Sequence, residues 1–299
     1  MFYCKISINE RTFKMARKTF NAAFAIFILA AAVSATAQQA ALTEDKKADL
    51  SKIHFAIVAD NHFALPDSNI SDWRSDIFLA TINSLKFMQD TLKPDFVVYL
   101  GDAISGEGTQ PITEQQSFDL TQAFIKDVGD NLTIPHYNVW GNHDGPNFPK
   151  IYGYKNKSFR FGDYFFFLMG IELTNYWSGV GKFTDWKYFE NSLKENSGAA
   201  SFVFIHEPIF PPTFENALKV KQVISKYPQI KFIFQGHTHT EQIDRAKSAV
   251  YITCAAFHKP PFYPLYDVSL SDGMMLITRY ELKDGKYSGT EIFSEKISR

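Results

Sequence analysis

Five short groups of polar residues, far apart in the chain, carry nitrogen and oxygen ligands suited to a pair of metal ions. The groups are Asp60-Asn61-His62, Gly101-Asp102, Gly141-Asn142-His143-Asp144, His206-Glu207-Pro208 and Gly236-His237-Thr238-His239. They contain five of the eight histidines and no cysteine, which excludes a structural zinc site built on thiolates. About seven such ligands exceed what one catalytic ion needs, since such an ion typically keeps three protein ligands and an open position. The set therefore predicts two ions that share a bridging carboxylate.

Each group directly follows an apolar run that predicts a buried strand. The runs are Ile53–Ala59, Phe96–Leu100, Ile134–Trp140, Phe202–Ile205 and Phe232–Gln235. Side chains just past strand ends project at one rim of a sheet, where α/β proteins build their sites. Taken singly, each group also fits an ordinary turn, such as an Asx turn at Asp102. Taken together, the five indicate a binuclear hydrolase.

The residue types also restrict the metal and the reaction. A mixed shell of imidazole, carboxylate and amide oxygen accepts manganese, iron or zinc, as two divalent ions or a mixed-valence pair. Two such ions lower the pKa of a shared water, so that a bridging hydroxide can attack near neutral pH, and they neutralise the oxygens of a phosphate ester. No serine or cysteine nucleophile is required. We therefore expect a metal-dependent hydrolase of phosphoric esters.

In this order, the five motifs resemble those of the calcineurin-like metallophosphoesterase family, over roughly Ile53 to the end of the chain. The resemblance implies an α/β fold with four layers, α/β/β/α, in which helices flank two mixed sheets and the metals lie at the C-terminal rim of the strands. It also implies seven metal ligands in two groups that share one carboxylate. One group is Asp60, His62 and His239, the other is Asn142, His206 and His237, and the bridging carboxylate is Asp102.

The same resemblance implies roles for the two residues after Asn142. His143 would face the substrate as a catalytic residue and protonate the leaving oxygen, because histidine titrates near neutral pH. Asp144 would orient His143. Ser105 stands where purple acid phosphatases carry a tyrosine, so an iron–tyrosinate centre is not expected.

Residues that contact the substrate are not evident from the sequence. His258 and Tyr263, in a segment after the last metal motif, are weak candidates, and a structural role is favoured for His258. The loops near the predicted rim, among them Phe257–Asp267, are rich in aromatic residues that could stack on a nucleobase or simply pack.

The first residues have the features of a secretory signal peptide. A basic stretch, Lys14–Lys18, precedes an apolar run of about twelve residues, and Ala35-Thr36-Ala37 follows. The run is short for a membrane span, which needs about 20 residues. We expect a signal peptide over 1–37 cleaved after Ala37, a polar leader over 38–51 and a catalytic domain over 52–299. Met15 is an alternative start. The expected location is secreted or periplasmic, with no stable membrane span after cleavage.

Charge argues against nucleic acid as a partner. Removing residues 1–37 takes away five basic side chains and one acidic, which leaves 26 basic against 31 acidic. A polyanion-binding surface would show a basic excess. A small phosphorylated molecule is the expected substrate, and the sequence leaves the oligomeric state open.

Three functions remain open at this point. A phosphatase acting on monoesters is favoured. The alternatives are a phosphodiesterase or pyrophosphohydrolase acting on nucleotides, cyclic nucleotides or lipid head groups, and a non-catalytic binding protein on the same fold.

Elsewhere, apolar periodicity and capping signals predict four helices and several late strands. The helices are Ser71–Thr91, Thr113–Val128, Phe183–Lys194 and Phe214–Lys226, the last capped by Thr213.

Overall fold

The computed structural model of the chain describes residues 52–64, 74–105, 113–175, 180–246, 249–259 and 262–297. All of them lie in the compact unit that begins at Asp49. The predicted signal peptide, its cleavage after Ala37 and the leader lie outside the described residues, as does the predicted helix start at Ser71.

Fourteen strands are present among the described residues. In chain order they are β1 (Ile53–Val58), β2 (Phe96–Tyr99), β3 (His136–Asn138), β4 (Lys157–Phe161), β5 (Tyr164–Met169), β6 (Glu172–Asn175), β7 (Val180–Lys182), β8 (Ala200–Ile205), β9 (Ile230–Gln235), β10 (Gln242–Ala246), β11 (Ala249–Thr253), β12 (Leu265–Ser271), β13 (Met274–Lys283) and β14 (Lys286–Lys296).

These strands form two six-stranded sheets and a small hairpin. The first sheet has the order β14-β13-β12-β1-β2-β3, the second has the order β10-β11-β9-β8-β5-β4, and β6 pairs with β7. Strands β1, β2 and β3 run parallel, and so do β5, β8, β9 and β11. Every strand that precedes a predicted metal motif is therefore a parallel strand within a mixed sheet.

Helices cover the outer face of each sheet. They are α1 (Arg74–Phe87), continued by a π-helical turn over Met88–Leu92, then α2 (Glu114–Asn131), α3 (Phe148–Tyr152), α4 (Trp186–Glu195) and α5 (Ala217–Ile224). The N-terminus of α2 is closed by a capping box between Thr113 and Gln116, as a threonine followed three residues later by glutamine predicts.

Alternation of side chains along the central strands creates three apolar layers. In β5, Phe166 and Leu168 face the core between the two sheets, whereas Phe165 and Phe167 face α4 and α5. The layer under α1 and α2 takes the outward residues of β1, such as Val58. A strand that is buried on both faces consists of consecutive apolar residues, so these strands could be predicted from the sequence. The observed architecture is the predicted one, two large mixed sheets flanked by helices.

Phenylalanine rings fill the space between the sheets. Phe55 stacks on Phe96 at a centroid distance of 5.1 Å and meets Phe166 edge-on at 5.7 Å. Aromatic pairs of this kind add about 0.5–1.5 kcal/mol each beyond the area they bury. This layer holds the two sheets against each other, and each sheet supplies residues to the predicted site.

Two predicted helix starts are wrong. Helix α4 begins at Trp186 rather than Phe183, because the backbone N–H and C=O of Phe183 both bond to the side chain of Asn216. Helix α5 begins at Ala217, and the hydroxyl of Thr213 donates to the carbonyl of Pro208 instead of capping the helix.

The segment Phe257–Asp267, predicted as a loop, ends in a strand. Strand β12 pairs with β1 through Tyr266 and Ile57 and with β13 through Leu265 and Tyr280. Its buried residues alternate with half-buried polar ones, Asp267 and Ser269, and this period of two was a usable signal. Among the helices within the described ranges, none combines the length and apolar character that crossing a membrane requires.

Candidate metal centre

The five metal motifs meet at one rim, where the parallel strands of both sheets end. The backbone N–H of Asp60 donates to Gly101 O at 3.2 Å, and that of His62 donates to Asp102 O at 2.9 Å. From the second sheet, Gly236 N donates to His206 O at 3.0 Å. Backbone hydrogen bonds therefore join the first two motifs to each other and the last two to each other, in line with the strand-end argument.

Five of the predicted ligands have a left-handed backbone. The φ angles are 50° at Asp60, 47° at His62, 49° at Asp102, 68° at His237 and 60° at His239. A non-glycine residue in this region costs on the order of 1–3 kcal/mol and persists only where its surroundings enforce it. Because several such residues occur together here, we infer that contacts elsewhere in the fold offset the cost of this backbone conformation, which orients the side chains of the predicted ligands.

Close backbone approach at the rim depends on glycine. A Cβ on Gly101, whose φ is 82°, would lie 2.5 Å from the ring of His206. A Cβ on Gly141 would lie 2.3 Å from the backbone nitrogen of Asp102. Both glycines precede predicted ligands and allow those ligands to converge.

Asp102 lies at the centre of the imidazoles. Its Oδ2 is 3.1 Å from His206 Nε2, 3.7 Å from His62 Nε2 and 3.9 Å from His143 Nε2, while Oδ1 accepts the backbone N–H of His143 at 2.8 Å. The carboxylate therefore faces ligands from both sheets, as the predicted bridging role requires.

Asp60 and Asn142 complete the two halves of the cluster. Asp60 Oδ1 lies 3.3 Å from His239 Nε2 and 3.8 Å from His206 Nε2. On the other side, Asn142 Oδ1 accepts a hydrogen bond from His237 Nδ1 at 2.9 Å. The structure thus brings the seven predicted ligands together at one rim, and their division between two ions stays a prediction.

The donor set fits metal ions. Three overlapping groups place one ligand atom per residue within 4.8 Å of one another, namely Asp102/His206/His237, His62/Asp102/His143 and His62/His239/His258. His62 Nε2 is buried and has no hydrogen-bond partner in the part of the chain that the structure describes. Buried polar atoms normally have partners, and bound cations would supply them here.

A family model described as calcineurin-like phosphoesterase matches residues 53–241, well over half of the chain. The chain belongs to this family. It is accordingly a metal-dependent phosphoester hydrolase, and the matched residues include all five motifs.

Individual relatives agree with this assignment. A 3′,5′-cyclic-nucleotide phosphodiesterase of Nostoc is 27% identical over 206 residues, which span 63% of this chain and 72% of that protein. A manganese-dependent ADP-ribose/CDP-alcohol diphosphatase of Xenopus laevis is 25% identical over 118 residues, or 37% of this chain and 32% of that protein. The crystal structure of a dimetal phosphatase from Danio rerio has a TM-score of 0.64 and 15% identity, and covers 82% of this chain and 99% of that one. This last likeness shows the fold.

Burial and charge set the protonation of the phosphoesterase's predicted metal ligands. Burial lowers the pKa of His62 well below its ordinary value and that of His237 to about 4, so both rings are neutral and able to bind a metal. For Asp102, burial alone would raise the pKa, but His206, His143 and His62 together hold it well below the usual range. Burial would likewise lower the pKa of His206, yet Asp102 and Asp60 raise it well above 6.5.

The phosphoesterase uses Asp144 differently from the prediction. Its carboxylate accepts backbone N–H groups of Gly141 at 2.9 Å, Asp102 at 3.1 Å and Ala103 at 2.8 Å. His143 Nδ1 has no hydrogen-bond partner within the described ranges. The expectation that Asp144 orients the His143 ring is therefore wrong, because its oxygens face backbone amides. Burial and Asp102 raise the pKa of Asp144 to about 7.

The two weak substrate candidates have different surroundings. Tyr263 packs on Phe257 at a ring distance of 5.9 Å, in the apolar layer under α1. His258 is 3% exposed and lies edge-on to His62 and His239, with centroid distances of 4.3 and 4.6 Å. His258 comes shortly after the end of β11, a strand parallel to β9. This position near a strand end was a signal for a place at the rim, and the sequence analysis gave it too little weight when it favoured a structural role.

Proposed function

We propose that this phosphoesterase hydrolyses phosphodiester or diphosphate bonds of nucleotides. The charge at the rim is the observation that carries the proposal. Within the described ranges, the ion-pair partners of Asp60 and Asp102 are all histidines. A phosphomonoester is largely dianionic above about pH 6 and needs positive groups beyond the metals, whereas a diester carries one negative charge. Among these ion pairs of the described residues no lysine or arginine takes part, which suits the singly charged diester better.

The relatives support the same class of substrate. The Nostoc protein is named for cyclic nucleotides, and the Xenopus protein is named for ADP-ribose and CDP-alcohols. All of these contain a nucleotide phosphate with two substituents. The monoester phosphatase expected first from the sequence stays an untested prediction.

Each residue at the rim has a role in this proposal. Asp60, His62 and His239 would hold one ion, Asn142, His206 and His237 would hold the other, and Asp102 would contact both. Bound ions supply a water of lowered pKa and neutralise phosphate charge.

His143 would hold a proton at Nε2 for the leaving oxygen. This nitrogen lies 3.9 Å from Asp102 Oδ2, so the ring lies beside the predicted bridging carboxylate. The backbone of His143 is fixed by Asp102 Oδ1, which accepts its N–H at 2.8 Å. An imidazole held beside the reacting phosphate is the usual form of general acid catalysis.

We further propose manganese as a native ion, with iron and zinc as the other metals that these ligands accept. The name of the Xenopus relative, which is called manganese-dependent, supports this choice. We also propose export of the chain through a signal peptide over residues 1–37. Mass spectrometry of the N-terminus after expression in a secreting host tests the cleavage after Ala37.

Hydrolysis by the EDTA-treated chain tests the activity. Manganese, zinc and iron are added back separately, with bis-p-nitrophenyl phosphate, p-nitrophenyl phosphate, a 3′,5′-cyclic nucleotide and ADP-ribose as substrates. The proposal expects metal-restored cleavage that favours the diesters and diphosphates. A preference for the monoester would establish a phosphatase instead. Two bound ions without cleavage of any substrate would support the non-catalytic alternative.

A further inference from the structure

A third imidazole stands beside the ligands of the Asp60 half of the metal centre. The ring of His258 lies edge-on to those of His62 and His239, at centroid distances of 4.3 and 4.6 Å. One ligand atom from each of these three residues lies within 4.8 Å of the other two. Three imidazole nitrogens gathered within this distance are close enough to converge on one ion through small movements of the rings.

A backbone carbonyl holds the His258 ring in the orientation that a ligand needs. His258 Nδ1 lies 3.0 Å from Asp60 O, and a carbonyl can only accept, so Nδ1 carries the hydrogen. The neutral ring therefore has its lone pair on Nε2. Metal-binding histidines commonly donate their second ring nitrogen in this way.

His206, one of the predicted ligands, has the same arrangement. Its Nδ1 lies 2.8 Å from Leu100 O, and its Nε2 faces Asp102. In both cases the accepting carbonyl comes at or just after the end of a strand of the first sheet, while the histidine comes from the second sheet. The site thus contains an internal precedent for the geometry of His258.

The His258 backbone is bound to the same residue. Its N–H donates to Asp60 O at 3.2 Å, and the preceding residue, Phe257, donates its N–H to Ala59 O at 2.8 Å. The segment after β11 is therefore fastened to the end of β1, next to a predicted ligand. Only 3% of the surface of His258 is exposed, so its ring faces the protein interior and not solvent.

We propose that His258 is a metal ligand that supplies a third imidazole to the ion held by Asp60, His62 and His239. The inference rests on the proposed two-metal function. With it, the Asp60 half offers three imidazoles and two carboxylates, counting Asp102. The other half offers two imidazoles, the amide oxygen of Asn142 and Asp102. The half without His258 then has fewer protein ligands and is the one better able to accept a substrate oxygen.

The direct test is a crystal structure of the full chain loaded with zinc, with the ions located by anomalous scattering. The expected result is His258 Nε2 about 2.0–2.1 Å from one ion, the usual zinc–nitrogen distance. An Nε2 atom outside the coordination shell of both ions would overturn the proposal.

Metal titration of variants gives an independent readout in solution. We expect His258→Gln to keep one ion at the affinity of the unaltered chain and to bind the other at least tenfold more weakly. His54→Gln is the matched control, because His54 lies at the start of β1 and pairs with Asp267, away from the rim. Circular dichroism of the metal-free variants checks that they fold, and two unchanged affinities in His258→Gln would contradict the proposal.

The two proposals fail in different ways. If the unaltered chain bound no metal pair, the proposed function itself would be wrong. If it bound two ions and cleaved diesters while His258 stayed outside the coordination shell, only the present inference would fail.

Discussion

The carboxylate of Asp144 accepts the backbone N–H of Asp102 at 3.1 Å, across 42 positions of the sequence. The same carboxylate accepts the N–H of Gly141 and of Ala103. One buried side chain therefore holds together the loops that carry Asp102 and Asn142. It therefore positions the segments that carry predicted metal ligands, and within the described residues no hydrogen bond joins it to His143 Nδ1.

Replacing Asp144 tests that role. We expect Asp144→Asn to weaken metal binding by about 10–100-fold, as loss of outer-shell partners typically does. Metal content after dialysis and the dependence of rate on the leaving group are the measurements. If Asp144 instead oriented His143, metal content would stay normal and the dependence on the leaving group would change.

Among these variants, replacement of Asp102 should cause the largest loss of metal binding and activity, because this residue is predicted to bridge the two ions. Asp102→Asn should lose affinity for both ions and abolish turnover, because its carboxylate faces imidazoles of both halves. Asp130→Asn is the matched control, since Asp130 is exposed in α2 and pairs with Lys126, and its effect on stability should stay within about 0.5 kcal/mol. Full metal content with normal activity in Asp102→Asn would exclude the bridging role.

Removal of the His143 imidazole separates metal binding from proton donation. His143→Ala should retain both ions and slow alkyl diesters by about 10²–10⁴-fold, the usual worth of a general acid. Aryl diesters, whose leaving oxygens need no proton, should lose less. The measurement compares both substrate types at saturating manganese, and equal losses would argue against proton donation.

Gly101 provides a test of close packing at the rim. Gly101→Ala places a Cβ against the His206 ring and forces alanine to a φ of 82°, so the free energy of unfolding should fall by at least about 1–3 kcal/mol. The ion bound by His206 should also be lost. Gly129→Ala, in α2 with no atom within 4 Å of the added Cβ, should instead stabilise by about 0.5–1 kcal/mol. Urea unfolding of both variants checks the contrast.

A pH-dependent contribution to stability comes from His54 and Asp267. These side chains pair between β1 and β12, and although burial alone would lower the pKa of His54, Asp267 and Asp95 raise it above 6.5. The charged pair therefore stabilises the fold fully below pH 6.5, and this contribution is lost as pH rises through the folded-state pKa.

Urea unfolding of the metal-free chain and of His54→Gln measures this effect. The difference in unfolding free energy between the two should shrink as pH increases above 6.5. A difference that is constant with pH, or one that grows, would show that the pair does not titrate in this way.

Much of the molecule was predictable because its signals are local. The apolar runs before each metal motif predicted β1, β2, β8 and β9, and the rule that sites lie at strand ends predicted their convergence. Strand β12 was missed because a proline-rich segment precedes it and drew the prediction toward a loop, although its period of two and the turn that joins it to β13 were local signals.

By itself, the sequence determined the family and the four-layer fold and predicted a set of metal ligands, since ligand types and hydrophobic patterns follow from the order of residues. Tertiary structure alone decided how those residues are held. The left-handed backbone of the ligands, the hydrogen bonds of Asp144 to distant amides and the approach of His258 to His62 depend on contacts between segments far apart in the chain. Such contacts have no local signature, because each partner taken alone is an ordinary turn residue.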